Sequence, residues 1–205
     1  MKKRFKVGGI IISLALCALW QYDQSNGIQA WFVDILLRAA WTRTKASGHP
    51  VKPWPGACTW PIARLSIPHL NIERIVLSQA GNGLSIFALG HSDSSVFPGD
   101  LGNSVLNIYY RDIFETFLKR LKIGNTLVLE SLRHGRWHYQ IADVKIVKKT
   151  KTYWVEPSLN RRLTLISCYP CLNVEEDLRY VVVAEEVVVA EKKDKEGNHK
   201  GLPLP

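Results

Sequence analysis

The feature that most constrains the fold of this chain is a series of short segments with strong β-propensity after Pro61. They are rich in β-branched or aromatic residues and are bounded by Gly, Pro, Asn or Asp, which is typical of strands. We predict strands at positions 63–67, 72–77, 104–108, 126–130, 136–147, 162–167 and 179–189. In the fifth segment, Trp137, Tyr139 and Ile141 alternate with polar residues, which indicates one buried face. These strands, with a short helix candidate at 113–121, predict an all-β domain, either a sandwich or a small barrel.

The composition is that of a globular protein with a basic surface. A chain of 205 residues accommodates one domain of ordinary size and a short extension. The net charge is +9, and basic residues cluster at 2–6, 119–122 and 145–151. No zinc-finger, helix-turn-helix or RNP-like motif accompanies this charge, so we expect no nucleic-acid partner. A basic protein beside an anionic membrane surface fits the composition better.

The N-terminus has the pattern of a membrane anchor. A basic cluster at 2–6 precedes 14 uncharged, mostly apolar residues at 7–20. A membrane span typically needs about 20 residues; Gln21 and Tyr22 can extend this one, and Trp20 and Tyr22 suit the interface. No convincing cleavage site follows Trp20. We therefore predict an uncleaved, single-pass anchor within residues 1–25, with the N-terminus in the cytoplasm and the remaining chain outside.

A helix and a linker separate this segment from the strands. Apolar residues recur at 31, 35, 39 and at 32, 36, 40, which predicts an amphipathic helix over 28–45 that lies on the membrane or packs on the domain. Four prolines, at 50, 53, 55 and 61, then indicate an extended linker. The predicted organisation is a helix and linker at 26–61, the β-domain at 62–190, and a disordered tail at 191–205.

Three blocks of sequence carry a resemblance to a known family. They read KPWPGACTWPIARLSIPHLNIERIVL at 52–77, GHSDSSVFPGDLGNSVLNIYYRD at 90–112, and RLTLISCYP at 162–170. Arg179 follows Cys168 by 11 residues, in the string LRY. Together the blocks resemble a sortase of class GN, the type found in Gram-negative bacteria, over roughly residues 28–187.

The resemblance implies a fold, a reaction and a place in the cell. The fold is a closed eight-stranded β-barrel with short helical insertions. The reaction is transpeptidation at an LPxTG-like C-terminal sorting signal of a secreted protein, with Cys168 forming a thioester and Arg179 stabilising the oxyanion. No cofactor is implied. The anchor then lies in the inner membrane and the barrel in the periplasm.

One position departs from the family pattern. Where such sortases read Gly-His-Arg-Asp, this chain has Tyr109, Tyr110, Arg111 and Asp112. The family histidine protonates the leaving amine, whereas a tyrosine with an ordinary pKa of about 10 is a poor base at neutral pH. Losing a general acid–base group costs on the order of 10²–10⁴ in rate. The sequence thus predicts a weak or degenerate transpeptidase, or a non-catalytic homologue that binds a sorting signal or a partner protein.

The same residues allow other interpretations. Cys168 can be a buried thiol or half of a disulfide with Cys171, and the C-x-x-C string raises thiol–disulfide exchange as a further function. A zinc site needs two more ligands at metal spacing, and none is evident. Arg179 can form a surface ion pair with the acidic residues that precede it. His91, in a second Gly-His string, is either a substitute base or a loop histidine with a structural hydrogen bond.

Overall fold

The strands after the linker close into a barrel. The structure, a computed structural model, describes residues 27–79, 88–108, 117–170 and 177–188. The strands within these ranges are β1 (Pro61–Ile67), β2 (Ile72–Leu77), β3 (Leu89–His91), β4 (Asn103–Ile108), β5 (Thr126–Ser131), β6 (Gly135–Lys148), β7 (Arg162–Tyr169) and β8 (Leu178–Glu186). They form a closed barrel in the order β1-β2-β3-β4-β7-β8-β6-β5. The pairs β2/β3 and β4/β7 are parallel and the others antiparallel, so the barrel is mixed.

This closed barrel confirms the fold class predicted from the sequence and decides between barrel and sandwich. Seven strands coincide with the predicted segments to within a few residues. The sequence missed β3, whose three residues are too few to show an alternating pattern. The helix candidate at 113–121 falls largely outside the described residues. Its described part contains only a 3₁₀ turn, Leu118–Arg120.

Large aliphatic side chains fill the barrel. Leu65, Leu106, Leu129, Leu165 and Val182 come from five different strands and are completely buried in one cluster. Because side chains alternate along a strand, residues between them point to the outside of the wall. Three of these outward residues, Val105, Ile166 and Val181, form a second buried cluster with Trp154.

Helix α1 (Gly27–Ser47) packs against the outside of β1 and β2. Leu37 and Trp41 are buried against Ile75 and Leu77. The structure therefore shows that the predicted helix packs on the domain. The helix ends where Gly48 adopts a φ of +69° and donates its backbone N–H to the carbonyl of Thr44, an arrangement that favours glycine.

Ion pairs also tie α1 to the barrel wall. Glu73 of β2 accepts bonds from Arg38 of α1 at 3.1 Å and from Arg64 of β1 at 3.3 Å. Glu130 of β5 is bonded to Lys45 at 2.5 Å and to Arg64 at 2.7 Å. Burial alone raises the pKa of Glu130, but the two cations outweigh it and hold that pKa below its ordinary value.

The chain between α1 and β1 contains neither helix nor strand; it makes a turn in which the Ala57 N–H donates to the Trp54 carbonyl, and Ala57 and Thr59 are buried. The predicted anchor at 7–22 and the tail at 191–205 lie outside the described residues. Among the residues that the structure describes, no helix combines the length and apolar character needed to cross a bilayer.

The strand directions give the barrel two ends. At one end β4 and β7 finish and β8 begins; we call this the Cys168 end, because β7 carries Cys168 close to its last residue. At the opposite end β3 finishes and β4 begins. These directions decide which candidate residues can meet.

Candidate active site

Cys168 and Arg179 lie directly opposite each other on adjacent strands. The antiparallel register of β7 and β8 pairs Cys168 with Arg179, next to the pair formed by Tyr169 and Leu178. Residues directly opposite in such a ladder have their side chains on the same side of the sheet, with Cα atoms about 4.5–5.5 Å apart. The structure therefore brings the two predicted site residues together.

The pair is on the outer side of the barrel wall. Leu163 and Leu165 point into the barrel core, whereas Ile166 packs outside it. Alternation along β7 then places Cys168 on the same outer side as Ile166. The pair is thus on the outer side of the wall and is only partly buried.

Buried polar contacts fix the strands beside this pair. The hydroxyl of Ser167 donates to the backbone carbonyl of Ile108 at 3.0 Å, which ties the end of β4 to β7. At the other end of the same two strands, Thr164 donates to the Asn103 side chain at 2.8 Å. Asn103 in turn donates to the carbonyl of Trp154 at 3.0 Å. These bonds were not predicted; their only signal in the sequence was polar residues within apolar strands.

Two tyrosines lie on the inner side of the wall at the same level. Tyr169 and Tyr180 follow Cys168 and Arg179 in their strands, and their ring centroids are 6.1 Å apart. Burial, and then the nearby Tyr169, raise the pKa of Tyr180. Tyr180 therefore stays neutral at physiological pH, and it packs against the barrel core on the inner side of the wall.

The sulfur of Cys168 is disulfide-bonded in the structure. Cys58, in the linker, is an exposed free thiol. Cys171, which the sequence offered as a partner for Cys168, lies outside the described residues. A disulfide sulfur cannot attack a carbonyl, since the nucleophilic form of cysteine is the thiolate. Any acyl transfer through Cys168 therefore requires prior reduction.

The Nη1 of Arg179 donates to the backbone carbonyl of Leu178 at 2.8 Å. Glu175 and Glu176, two of the acidic residues that precede Arg179 in the sequence, lie outside the described residues.

The position of the family histidine also lies outside the described residues. Tyr110 follows the last residue of β4, Ile108, by two positions, and Ile108 pairs with Ser167 next to Cys168. In the described parts of the chain, no histidine occurs on β4, β7 or β8. Thus none of the described histidines lies on β7 or β8, which carry Cys168 and Arg179, or on the adjacent strand β4.

His91 is placed away from Cys168. It pairs with Leu106, which pairs with Leu165, so it is two strands away and about 10 Å further along the wall. Like Leu89, it belongs to the inner side of the wall, whereas Cys168 is on the outer side. His91 Nε2 lies 2.9 Å from the carbonyl of Val96 and 3.2 Å from Ser95 Oγ.

His91 instead borders a cavity of about 760 Å³ at the opposite end of the barrel. Trp60, Ser95, Phe97 and Arg133 also line this cavity. These contacts fit the second of the two interpretations of His91 given above, a histidine with a structural hydrogen bond.

No metal site competes for these residues in the part of the chain that the structure describes. There, no group of three or more His, Cys, Asp or Glu side chains is close enough together to hold a metal ion.

The fold and the site together define a class of protein. The barrel is closed, mixed and eight-stranded, and it carries a cysteine directly opposite an arginine on the outside of its wall. A family model for the sortase domain matches residues 65–187, which is more than half of the chain. The chain belongs to the sortase family.

Solved sortases have the same fold at low sequence identity. A Clostridium perfringens sortase D5 transpeptidase has a TM-score of 0.61 and 15% identity, covering 76% of this chain and 99% of its own. Sortase C-1 from Actinomyces oris has a TM-score of 0.54 and 23% identity, covering 63% and 75%. Listeria monocytogenes sortase A has a TM-score of 0.54 and 18% identity, covering 64% and 92%. No curated protein sequence matches the chain.

Proposed function

We propose that this sortase-family protein is a cysteine transpeptidase of class GN that acts on an LPxTG-like sorting signal. Its substrate is a secreted protein that carries this signal at its C-terminus. The observation that carries the proposal is the register pair of Cys168 and Arg179 on the outer side of the barrel. A nucleophile and an oxyanion donor are two of the groups that acyl transfer uses.

The reaction has two steps. The reduced Cys168 thiolate attacks the scissile carbonyl, and a carbon–sulfur bond forms as the peptide carbon–nitrogen bond breaks. The leaving amine takes up one proton. In the second step an acceptor amine attacks the thioester, loses a proton and regenerates the thiolate. In both steps the carbonyl oxygen becomes an oxyanion, and the Arg179 guanidinium stabilises it.

The proton transfers are the weak part of this mechanism. Tyr110 stands where the family histidine would protonate the leaving amine, and the described residues place no imidazole on β4, β7 or β8. His91 is directed to the far end of the barrel by its hydrogen bonds. We therefore propose that the protein as it stands is a weak transpeptidase, limited by proton transfer.

The test is to restore the histidine. We expect Tyr110→His, in combination with Tyr109→Gly, to raise cleavage of a fluorogenic sorting-signal peptide by up to about 10²–10⁴-fold under reducing conditions. The glycine is included because the family has glycine there and a tyrosine side chain is able to obstruct the peptide. Cys168→Ala in the same background is the blank, and Tyr110→Phe is the matched control, because it removes the hydroxyl without adding a base.

The outcomes separate the alternatives. If the unmodified protein already cleaves rapidly and Tyr110→Phe abolishes this, the tyrosine is the working acid and the proposal of weak activity is wrong. If no variant cleaves but the peptide still binds, a non-catalytic homologue that binds sorting signals is the better description.

One observation favours a second candidate, a dithiol redox protein: Cys168 is disulfide-bonded. The setting argues against it, because reactive C-x-x-C motifs place their first cysteine at the start of a helix, whereas Cys168 lies within a strand. Mass spectrometry of the reduced protein incubated with the peptide decides the matter. An acyl adduct on Cys168 supports the sortase mechanism, and reduction of insulin without any adduct supports the redox function.

We also propose that the protein is anchored in the inner membrane by residues 7–22, with the barrel in the periplasm. The basic cluster at 2–6 and the uncharged segment that follows support this topology. An oxidising compartment is also where a disulfide at Cys168 persists. A periplasmic reporter fused after residue 188 tests it, because an inactive fusion that is stably expressed contradicts this orientation.

A further inference from the structure

Helix α1 has a second apolar face that no described residue covers. Trp31 is 64% exposed, Phe32 is 56% exposed and Ile35 is 41% exposed. Isolated exposed hydrophobic residues are common, but three adjacent ones on one helix, two of them aromatic, form a patch. Such patches on soluble domains mark surfaces that bind another protein or a membrane.

The patch lies on the side of α1 opposite to the barrel. At 3.6 residues per turn, Trp31, Phe32 and Ile35 fall within a sector of about 100°. The buried residue Leu37 falls about 170° from the centre of that sector, and the buried residue Trp41 falls about 130° from it. The helix cannot rotate to bury the patch without exposing Trp41.

The patch is also free of charge. Between Trp31 and Ser47 the other residues in the same sector are Ala39, Thr42 and Ala46. Arg43 stands at one border of the sector, and Arg38 stands at the other, where it is paired with Asp34 and Glu73. An uncharged apolar face that contains tryptophan is the pattern of a helix that lies in the interface of a bilayer.

The preceding sequence identifies the bilayer as the occupant of this face. The uncharged segment at 7–20 ends only seven positions before the helix begins at Gly27. Trp31 is four residues into α1, which corresponds to about 6 Å of helix. A chain whose apolar segment enters a bilayer therefore has this patch close to the surface of that bilayer.

We propose that the outer face of α1, formed by Trp31, Phe32 and Ile35, inserts into the interfacial region of the membrane. The helix then has two apolar faces with different partners: Leu37 and Trp41 bind the barrel, and the outer face binds lipid. The proposal rests on the membrane anchor proposed above, and it is independent of whether the protein cleaves peptides.

The experiment uses the full chain reconstituted into liposomes of zwitterionic and anionic phospholipid, with or without bromine on the upper acyl chains. The emission of wild type minus that of Trp31→Phe gives the contribution of Trp31. The matched control is Trp154→Phe, because Trp154 packs outside β4, β7 and β8, on the far side of the barrel from α1. We expect brominated lipid to reduce the Trp31 contribution at least about twofold and to leave that of Trp154 unchanged.

A second measurement needs no substitution, so it does not depend on the variants folding. A lipid-soluble carbene probe is activated in the same liposomes, and adducts are mapped by mass spectrometry. We expect adducts on 31–35 and none on the loop at 153–159, although Leu159 is 93% exposed. The proposal is overturned if Trp31 is quenched no more than Trp154, or if 31–35 carries no adducts. Protection of Trp31 from both bromolipid and aqueous acrylamide also overturns it, since protein then covers the face.

Discussion

Replacing Arg179 by alanine tests whether the register pair with Cys168 has a catalytic purpose. In the reaction proposed above, the oxyanion develops within bonding distance of Cys168, and the guanidinium comes from the residue directly opposite. At an effective dielectric constant of about 20, two unit charges about 5 Å apart attract by roughly 3 kcal/mol. That energy corresponds to a rate factor of about 10², which agrees with the 10²–10³ lost when an oxyanion donor is removed elsewhere.

Because Arg179 is partly exposed, we expect the loss of rate to lie near the lower end of the range of about 10²–10³ given above. Arg179 is only partly buried, and solvent screens part of the attraction. We therefore expect Arg179→Ala to lower kcat/KM for a fluorogenic sorting-signal peptide about 10²-fold, with the loss mainly in kcat. Arg179→Lys keeps the charge but loses the planar fork of donors, so we expect an intermediate value.

The control is an arginine on the same strand pair. Arg162 lies at the other end of β7, six residues or about 20 Å from Cys168, and forms an ion pair with Glu185 at 3.2 Å. Exposed ion pairs contribute at most about 1 kcal/mol to stability, so Arg162→Ala should leave kcat/KM unchanged. Equal activity of Arg179→Ala and wild type, with Cys168→Ala inactive, would refute the role given to Arg179.

A low wild-type rate does not prevent the test. The rate at which iodoacetamide alkylates reduced Cys168 at neutral pH reports how far the surroundings favour the thiolate. We expect Arg179→Ala to slow alkylation at pH 7 and the two proteins to converge at high pH. Identical rates at pH 7 would show that the guanidinium does not act on the sulfur.

Three further predictions follow from other parts of the molecule. Iodoacetamide should modify Cys168 only after treatment with dithiothreitol, and Cys171→Ser should remove that requirement; modification of the untreated wild type at Cys168 would contradict the disulfide. Trp41→Ala should lower the free energy of unfolding by about 3–5 kcal/mol in urea titrations, and Trp31→Ala by less than about 0.5 kcal/mol, because only Trp41 is buried. Mass spectrometry of the membrane fraction should find residues 7–22 retained, and a mature N-terminus beyond them would show that the segment is cleaved.

The sequence was most informative where a strand is long enough to show its pattern. Strands β6 and β7 have 14 and 8 residues, and their β-branched and aromatic residues located them correctly. Strand β3, which ends in His91, has only three residues, and its pairing with β2 and β4 depends on the barrel closing around it. Local propensity contains no information about such a strand.

Helix α1 shows that periodicity can locate a helix without showing which of its faces contacts the domain. The apolar rows that predicted it include Trp31 and Ile35, and both are exposed. The face buried against the barrel includes Ala40 of those rows together with Leu37 and Trp41, which belong to neither row. With apolar residues on both sides, periodicity establishes the helix but leaves its contact face undetermined.

The site required information that residue spacing does not provide. The resemblance to sortases identified Cys168 and Arg179, but the distance of 11 positions in the sequence does not fix a register between strands. Their juxtaposition comes from the pairing of β7 with β8. The position of His91 likewise follows from the parallel pairing of β4 with β7, which turns the β3–β4 loop to the end of the barrel away from Cys168.

The closed strand order also relates the proposed membrane face to the proposed active site. Helix α1 packs on β1 and β2, and the Cys168–Arg179 pair is on the outer side of β7 and β8, which are four strands away in a barrel of eight. These are opposite sides of the wall. With the outer face of α1 in the bilayer, Cys168 is directed away from the lipid surface, and a peptide reaches it from the aqueous side. The loop at 153–159 covers part of that same side. If the carbene probe labels α1 but not this loop, the result supports both the contact of α1 with lipid and the orientation of Cys168 away from it.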